Sequence, residues 1–182
     1  MILGGILLGL FLASGGDRPA AWAVPLRLSG VGNLAKVNDS LFRSEQPTRD
    51  GFRRMVDSLG IRTVIDLRSF HDDKDLVAGT GLGLHQVGMS TWSIHDSEVV
   101  RALRVVRWAH AGPYLVHCQH GADRTGVVNA VYRIVFQGWT REDAAREMEE
   151  GGYGFHPVWR NIPRYLREFD SAAVRRAVEA SP

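Results

Sequence analysis

Apolar residues recur along the chain at two spacings, and the two kinds of stretch alternate. Short, mainly apolar runs predict buried strands, because none is long enough for a helix; they lie at residues 34–37, 41–44, 63–67, 84–87 and 114–116. Longer stretches with apolar residues at helical spacing predict helices over residues 49–59, 97–109, 125–136, 141–150 and 163–180. This order predicts a single α/β domain with a central, mostly parallel sheet that helices flank.

Polar residues and glycines at the borders of these stretches predict where helices begin and end. Thr48 is an N-cap for the first predicted helix, and Gly60 is its stop. Asp96 or Ser97 is expected to cap the helix over residues 97–109. The charged run at residues 71–75 predicts the solvated start of another helix.

The stretch from Tyr114 to Arg133 contains the residues from which we predict the function. It reads as a central strand, a loop containing Cys118 and Arg124, and a helix from Thr125 onward. In such a phosphate-binding loop the backbone N–H groups and the positive end of the helix dipole converge on one anion. Arg124 adds a planar fork for two phosphate oxygens. The same positive field favours the thiolate of Cys118, which is the nucleophilic form.

The loop resembles the catalytic loop of the cysteine-dependent protein phosphatases, H-C-x5-R-[S/T]-G, over residues 117–126. Within that family the chain is most similar to compact bacterial dual-specificity-type phosphatases, including exported ones. Further shared features are L-F-R-S-x-Q-P-T at 41–48, G-I-R-T-V-I-D-L-R at 60–68 and V-Y-R-I-V-F-Q-G-W at 131–139. The resemblance implies a phosphomonoester hydrolase with a phosphocysteine intermediate and no cofactor.

The resemblance also implies a role for each residue of the loop. Cys118 is the nucleophile, Arg124 binds the phosphate, Thr125 helps the sulfur to leave and His117 orders the loop by hydrogen bonds. The phosphate is expected to be bound by the segment Gln119, His120, Gly121, Ala122, Asp123 and Arg124.

The general acid is less evident from the sequence. Many members of the family carry an Asp on a loop upstream of the Cys, and that slot falls here near Trp92. We favour Asp123, because some members use an Asp directly before the loop Arg. Asp96 is the alternative general acid, and His95 and His120 are weaker candidates.

The sequence does not decide whether two arginines bind the phosphate or support the structure. Arg43 and Arg68 end predicted strands near the edge where an α/β sheet places its ligands. They could face the phosphate, or they could pair with carboxylates such as Asp66 or Glu45 and hold the sheet edge.

Composition limits the possible functions and partners. The chain has 182 residues and a net charge of +2, which is ordinary for one domain and indicates no nucleic-acid partner. Its single cysteine excludes an internal disulfide framework and a multi-cysteine zinc site. His117, Cys118 and His120 lie too close together for a tetrahedral site, so no metal is expected.

Residues 2–13 are almost wholly apolar, and an A-x-A pattern follows at residues 21–23. We interpret residues 1–23 as a signal peptide or N-terminal anchor and residues 24–182 as the phosphatase domain. The protein is then periplasmic or otherwise exported. The alternatives are a membrane anchor through residues 2–16 and a buried N-terminal helix.

The predicted substrate is a phosphorylated protein or peptide, with phosphotyrosine and dual specificity both open. The alternatives are a phosphoinositide or inositol-phosphate phosphatase and a non-catalytic phosphate-binding module. Lipid and inositol phosphatases of this superfamily often carry extra lysines in the loop, and Gln119, His120 and Ala122 supply none. The binding module is disfavoured because Cys118, Arg124 and a plausible acid are all present.

Overall fold

A computed structural model describes residues 18–109 and 111–180, and the fold below refers to these residues. The predictions for residues 2–16 lie outside them. Within the described ranges, no helix combines the length and the apolar character that a membrane crossing requires.

The centre of the molecule is one six-stranded sheet with the strand order β1-β2-β3-β6-β4-β5. Strand β6 lies between β3 and β4 and runs parallel to both, and β4 and β5 are also parallel. Only the β1–β2 and β2–β3 pairs are antiparallel. The strands are β1 (Val24–Pro25), β2 (Ala35–Asn38), β3 (Leu41–Ser44), β4 (Thr63–Arg68), β5 (Gly83–Met89) and β6 (Tyr114–His117). The predicted mostly parallel α/β sheet is therefore confirmed.

Helices cover both faces of the sheet. The helices are α1 (Arg49–Leu59), α2 (Lys74–Val77), α3 (Asp96–Trp108), α4 (Asp123–Gln137), α5 (Arg141–Glu150), α6 (Asn161–Glu168) and α7 (Ser171–Glu179). Side chains of α1 and α2 form one core with the sheet, and side chains of α3 to α7 form the other. Neighbouring residues of a strand point to opposite faces. Val64 and Leu115 therefore belong to the first core, and Ile65 and Val116 to the second.

The predicted ends of α1 are confirmed. The hydroxyl of Thr48 accepts a hydrogen bond from the backbone N–H of Gly51 at 3.0 Å, and Gly60 follows with φ 65°. The prediction for α3 was wrong by one residue. His95 is its N-cap, its backbone N–H donates to Glu98 Oε2 at 3.3 Å, and Asp96 lies in the first turn.

The last predicted helix, over residues 163–180, is two helices. Phe169 ends α6 in an extended conformation (ψ 146°), and Asp170 then caps α7. Its Oδ1 accepts from the backbone N–H groups of Ala172 and Ala173, both at 2.9 Å. The local cap outweighs the continuous apolar periodicity that predicted one helix.

The charged run at residues 71–75 is not wholly solvated, which corrects another prediction. Asp73 has a relative exposure of 0%, although it stands between exposed residues in the sequence. It lies at the N-terminus of α2 and points inward toward β6. The buried carboxylate belongs to the site described below.

Residues 18–23 pack against the domain before the first strand begins. Trp22 and Ala23 are 8% and 1% exposed, and the N–H of Ala23 donates to Glu147 Oε1 at 2.6 Å. The Arg18 guanidinium donates to the Tyr153 hydroxyl at 2.6 Å. Residues 18–23 thus contact the domain, and both the boundary after Ala23 and the cleavage stay predictions.

Candidate active site

The phosphate-binding loop follows β6, at the carboxyl edge of three neighbouring parallel strands. Cys118 comes directly after the strand and is 2% exposed. Helix α4 begins at Asp123, earlier than the predicted Thr125, and Ala122 is its N-cap without a side-chain hydrogen bond. The unpaired N–H groups of its first turn therefore remain available for an anion.

Gly121 lets this loop lie directly against the end of β3. It has φ 67°, and a Cβ built there would lie 2.5 Å from the carbonyl oxygen of Ser44 and the backbone nitrogen of Glu45. Both the backbone conformation and the close approach require glycine. The sequence marked Gly121 as a loop residue, and the structure shows which surface it contacts.

Arg43 supports the same loop from within the protein. Its side chain is 1% exposed, and Nη2 donates to the carbonyl oxygen of Gly121 at 2.6 Å. Its guanidinium lies 3.6 Å from the centre of the Tyr153 ring. Burial lowers the pKa of Arg43 to about 10. Of the two predicted roles Arg43 has the structural one, with a carbonyl and an aromatic ring as its partners.

Arg124 extends from α4 into an open cavity above the loop. Its Nη1 makes long contacts, 3.4 Å to the Leu67 carbonyl and 3.5 Å to the Met89 carbonyl. The cavity has a volume of about 400 Å³ and is lined by Arg68, Ser69, Phe70, His71, Met89, Ser90, Thr91, Trp92, Gln119 and Arg124. Its walls thus carry two arginines and the first residue after Cys118, as a phosphate site requires.

His117 is buried and contacts Asp73, the residue that sequence reasoning missed. His117 Nε2 lies 2.8 Å from Asp73 Oδ2, and both side chains have 0% exposure. Gln46 Nε2 donates to Asp73 Oδ1 at 2.8 Å. Burial alone would raise the pKa of Asp73, but its hydrogen bonds and the positive field of His117 lower it overall. This contact agrees with the predicted loop-ordering role of His117.

Arg68 and Asp66 complete the polar layer beneath the cavity. Arg68 Nη1 donates to Gln46 Oε1 at 2.8 Å, and its backbone N–H donates to Asp66 Oδ1 at 2.8 Å. Burial raises the pKa of Asp66. Arg68 thus lines the cavity, and its guanidinium is held by Gln46 rather than by one of the predicted carboxylates.

Asp66, Asp73 and His117 are the only group of metal-type donors close together in the part of the chain that the structure describes. One atom from each lies within 4.8 Å of the others. Asp73 is already held by Gln46 and His117, and Asp66 accepts from the backbone of Arg68. We assign these three residues to the support of the loop and identify no metal ligand among them.

The two predicted general acids both lie away from the cavity walls. The Asp123 carboxylate is 8% exposed and is held by His156, whose backbone N–H donates to Oδ1 at 3.0 Å. The Asp96 carboxylate accepts from the Tyr165 hydroxyl at 2.7 Å on the side of α6. Thr125 is buried, and within the described ranges its hydroxyl has no hydrogen-bond partner, so the predicted bond to sulfur is not formed in this structure.

The two weaker acid candidates are also outside the cavity lining. His95 Nε2 lies 3.0 Å from the hydroxyl of Ser93, and His120 is exposed. The ring of His120 lies 5.5 Å from that of His156, at the end of the loop where Asp123 is held. Cys118 thus directly follows β6 and Arg124 lines the cavity, whereas the predicted proton donors are not among the residues that line it.

Comparison with known proteins identifies the family. The model of the tyrosine phosphatase family matches residues 30–155. The dual specificity protein phosphatase TpbA of Pseudomonas aeruginosa is 35% identical over 190 residues, which cover 100% of this chain and 84% of TpbA. A crystal structure of P. aeruginosa TpbA in complex with phosphotyrosine superposes with a TM-score of 0.80 at 31% identity, covering 91% of this chain and 100% of that one.

A more distant relative is named for another phosphatase activity. An inositol diphosphatase of Oryza sativa subsp. japonica is 32% identical over 104 residues, which cover 53% of this chain and 50% of that protein. The family model and the match along the full chain carry the assignment. The chain belongs to the tyrosine phosphatase family and is a cysteine-dependent protein phosphatase of the tyrosine and dual-specificity kind.

Proposed function

We propose that this phosphatase acts without a metal, through a phosphocysteine on Cys118, and prefers aryl phosphates such as phosphotyrosine. The observation that carries the proposal is the position of Cys118 and Arg124 at the two ends of one loop. Cys118 follows the central parallel strand, and Arg124 reaches into the cavity above it.

The chemistry follows from this placement. The Cys118 thiolate attacks phosphorus while the loop N–H groups and Arg124 hold the equatorial oxygens. The bond between phosphorus and the leaving oxygen breaks, and a phosphocysteine forms. Water then attacks phosphorus, the sulfur–phosphorus bond breaks and the thiolate is regenerated. Arg124 and the N–H groups balance the developing charge.

Exposed aromatic rings at the cavity support the preference for aryl phosphates. Trp92 is 79% exposed and Phe70 is fully exposed, and both line the cavity beside Arg124. The Trp92 ring lies edge-to-face against Trp159 at 4.7 Å, which fixes one side of the opening. A phenyl ring bound over Arg124 can pack against these side chains. The complex of TpbA with phosphotyrosine points in the same direction.

Inositol phosphates are the second candidate substrate. Arg68 and His71 line the cavity together with Arg124, so a second phosphate would meet basic side chains. The aromatic rim and the more distant match to an inositol diphosphatase place this candidate second.

We infer that the protein is exported, from the apolar run at residues 2–13. The packing of residues 18–23 favours a mature chain that still contains Arg18. The mass of the mature protein from the extracytoplasmic fraction tests both points. Protein found only in the cytoplasm would contradict export, and a mature chain beginning at Val24 would contradict only the retention of Arg18.

Substrate preference is tested on the full chain in the presence of a chelator. We expect kcat/KM to be higher for a phosphotyrosine peptide than for the matching phosphoserine peptide or an inositol polyphosphate. Trp92→Ala should lower kcat/KM for the phosphotyrosine peptide about tenfold, mainly through KM, because ring packing is lost. The control is Val158→Ala, a change at an exposed apolar residue that does not line the cavity. Equal rates on all three substrates would contradict the preference.

A further inference from the structure

The cavity above the phosphate-binding loop is lined by one histidine, His71. Its ten lining residues also include Arg68 and Arg124, whose guanidinium groups only donate hydrogen bonds, and they include no carboxylate. A histidine there is suited to general acid–base catalysis, because imidazole changes its charge near neutral pH. His71 is thus the residue of this cavity wall whose side-chain chemistry suits a proton donor.

A buried carboxylate orients the His71 ring. His71 Nε2 lies 3.2 Å from Asp73 Oδ1, and Asp73 is itself held by Gln46 and His117. Within the described residues Nε2 is buried against this carboxylate without a well-aligned hydrogen bond, and about a third of the His71 side chain (34%) is exposed. A carboxylate facing one ring nitrogen favours the tautomer that carries its proton there. Nδ1 is then the nitrogen that can exchange a proton with a bound substrate.

The predicted acids cannot take this role without leaving their partners. Asp123 is held by the backbone and ring of His156, and Asp96 is held by the Tyr165 hydroxyl. Trp92 occupies the position near which related enzymes carry their loop Asp, and it presents an indole ring to the cavity. The expected carboxylates are thus absent from the described cavity wall, and an imidazole is present.

We propose that His71 is the proton donor to the leaving group and that Asp73 is its positioning residue. The inference rests on the proposed phosphatase mechanism. As Cys118 sulfur bonds to phosphorus, the leaving oxygen takes the electron pair of its broken bond and the proton of His71 Nδ1. Neutral His71 then removes a proton from the water that attacks the phosphocysteine. The thiolate leaves with the electron pair of the sulfur–phosphorus bond, and inorganic phosphate is released.

Several charged groups surround the His71 ring, and all of them contribute to the pH dependence of the reaction. Asp72 precedes α2 and Asp73 is its N-cap. The other groups lie on three neighbouring elements: Asp66 and Arg68 on β4, His117 on β6 and Arg124 on α4. A pH profile alone therefore cannot identify His71. The dependence of the rate on the leaving group can identify it. Loss of a proton donor slows the reaction more as the leaving oxygen becomes more basic.

The test compares the full-length wild type with His71→Gln on phenyl, nitrophenyl and dinitrophenyl phosphate. The quantity compared is kcat/KM, because it reports formation of the phosphocysteine and not its later hydrolysis. The expected result is a fall in kcat/KM of about 100-fold or more on phenyl phosphate, the usual contribution of a general acid. On dinitrophenyl phosphate, whose leaving group needs no proton, the fall should be less than about tenfold. The basic limb of the kcat/KM profile should flatten on phenyl phosphate. Asp123→Asn, the comparison variant, should lower kcat/KM by the same factor on all three substrates.

Three results would overturn the proposal: an equal fall of kcat/KM on all three substrates in His71→Gln, a change in KM alone, or leaving-group dependence of kcat/KM in Asp123→Asn instead. If His71→Gln does not fold, His71→Ala is measured with added imidazole. Imidazole should then restore turnover of phenyl phosphate, and a lack of rescue would count against His71. An inactive wild type, or activity that survives Cys118→Ser, would instead contradict the proposed function.

Discussion

The carboxylate of Asp123 is held by His156 at two points, through the backbone N–H at 3.0 Å and the ring Nδ1 at 2.8 Å. Asp123 is the first residue of α4, and His156 lies in the segment between α5 and α6. The pair thus ties this segment to the end of the phosphate-binding loop. Asp123 acts in this arrangement as a structural acceptor at a helix N-terminus, where a carboxylate is favoured.

His156→Ala is expected to lower the free energy of unfolding by about 1 kcal/mol, because one partly exposed bond to a carboxylate is lost. It should also speed proteolysis near residue 156, where the segment is released. Urea denaturation and limited proteolysis measure the two effects. The control is His85→Ala, at an exposed histidine of β5 that makes no side-chain hydrogen bond within the described ranges. Equal stability of both variants would show that the pair holds nothing in place.

Arg43 should matter more for activity than for stability. Arg43→Met removes the hydrogen bond to Gly121 and the contact with Tyr153, but it also removes the cost of burying a cation. We expect the free energy of unfolding to change by less than about 2 kcal/mol, because these effects partly cancel. The rate should fall about 100-fold, because the loop loses its fixed position.

Steady-state kinetics and urea denaturation of Arg43→Met are compared with those of Arg53→Met, a change on the exposed side of α1. The control should retain wild-type values in both measurements. Full activity in Arg43→Met would show that the loop keeps its geometry without Arg43.

Asp73 and Asp66 should affect acid stability with opposite signs. The pKa of Asp73 is lowered in the folded protein, so its contribution is fully present above the unfolded value of about 3.9 and is lost as pH falls through the folded pKa. The pKa of Asp66 is raised, so its contribution is present below about 3.9 and is lost as pH rises through the folded pKa.

Asp73→Asn should therefore lower the free energy of unfolding near neutral pH by about 1–3 kcal/mol, and the difference from wild type should shrink below about pH 4. Asp66→Asn should be neutral or stabilising near neutral pH, with the backbone N–H of Arg68 still bonded to the amide oxygen. Denaturation curves at several pH values provide the measurement. The same sign of change in both variants would contradict the assignment of their ionisation.

The segment from Arg18 to Ala23 should contribute to stability. A chain of residues 24–182 lacks the buried side chain of Trp22, the bond from Ala23 to Glu147 and the contacts of Arg18 with Tyr153. We expect it to be about 3 kcal/mol less stable than a chain of residues 18–182. Thermal denaturation of the two chains measures this, and equal stability would place the boundary at Val24.

The sequence predicted the sheet, the ends of α1 and α5 and the Cys118–Arg124 loop, because these depend on local patterns. Thr48 and Gly60 are recognisable as caps from neighbouring residues alone, and the loop motif is contiguous. The misassigned features depend on distant contacts. Asp73 looks like part of a solvated run until the fold brings it to His117.

The same limit applies to the proton donor. Asp123 stands beside Arg124 in the sequence, but the direction of its side chain is set by His156. His71 carries no motif, and only the position of β4 beside β6 brings it to the cavity. A polar residue just after a strand that neighbours the motif strand was the available signal, and the charged run around His71 concealed it.

Hydrolysis of a phosphotyrosine peptide by the full chain, with a chelator and a reductant present, tests the central claim most directly. Wild type and Cys118→Ser are measured side by side, with folding of both checked by thermal denaturation. We predict that wild type releases phosphate in the presence of the chelator and that a folded Cys118→Ser variant does not. Turnover that needs a metal, or that persists without the thiol, would contradict the phosphocysteine mechanism.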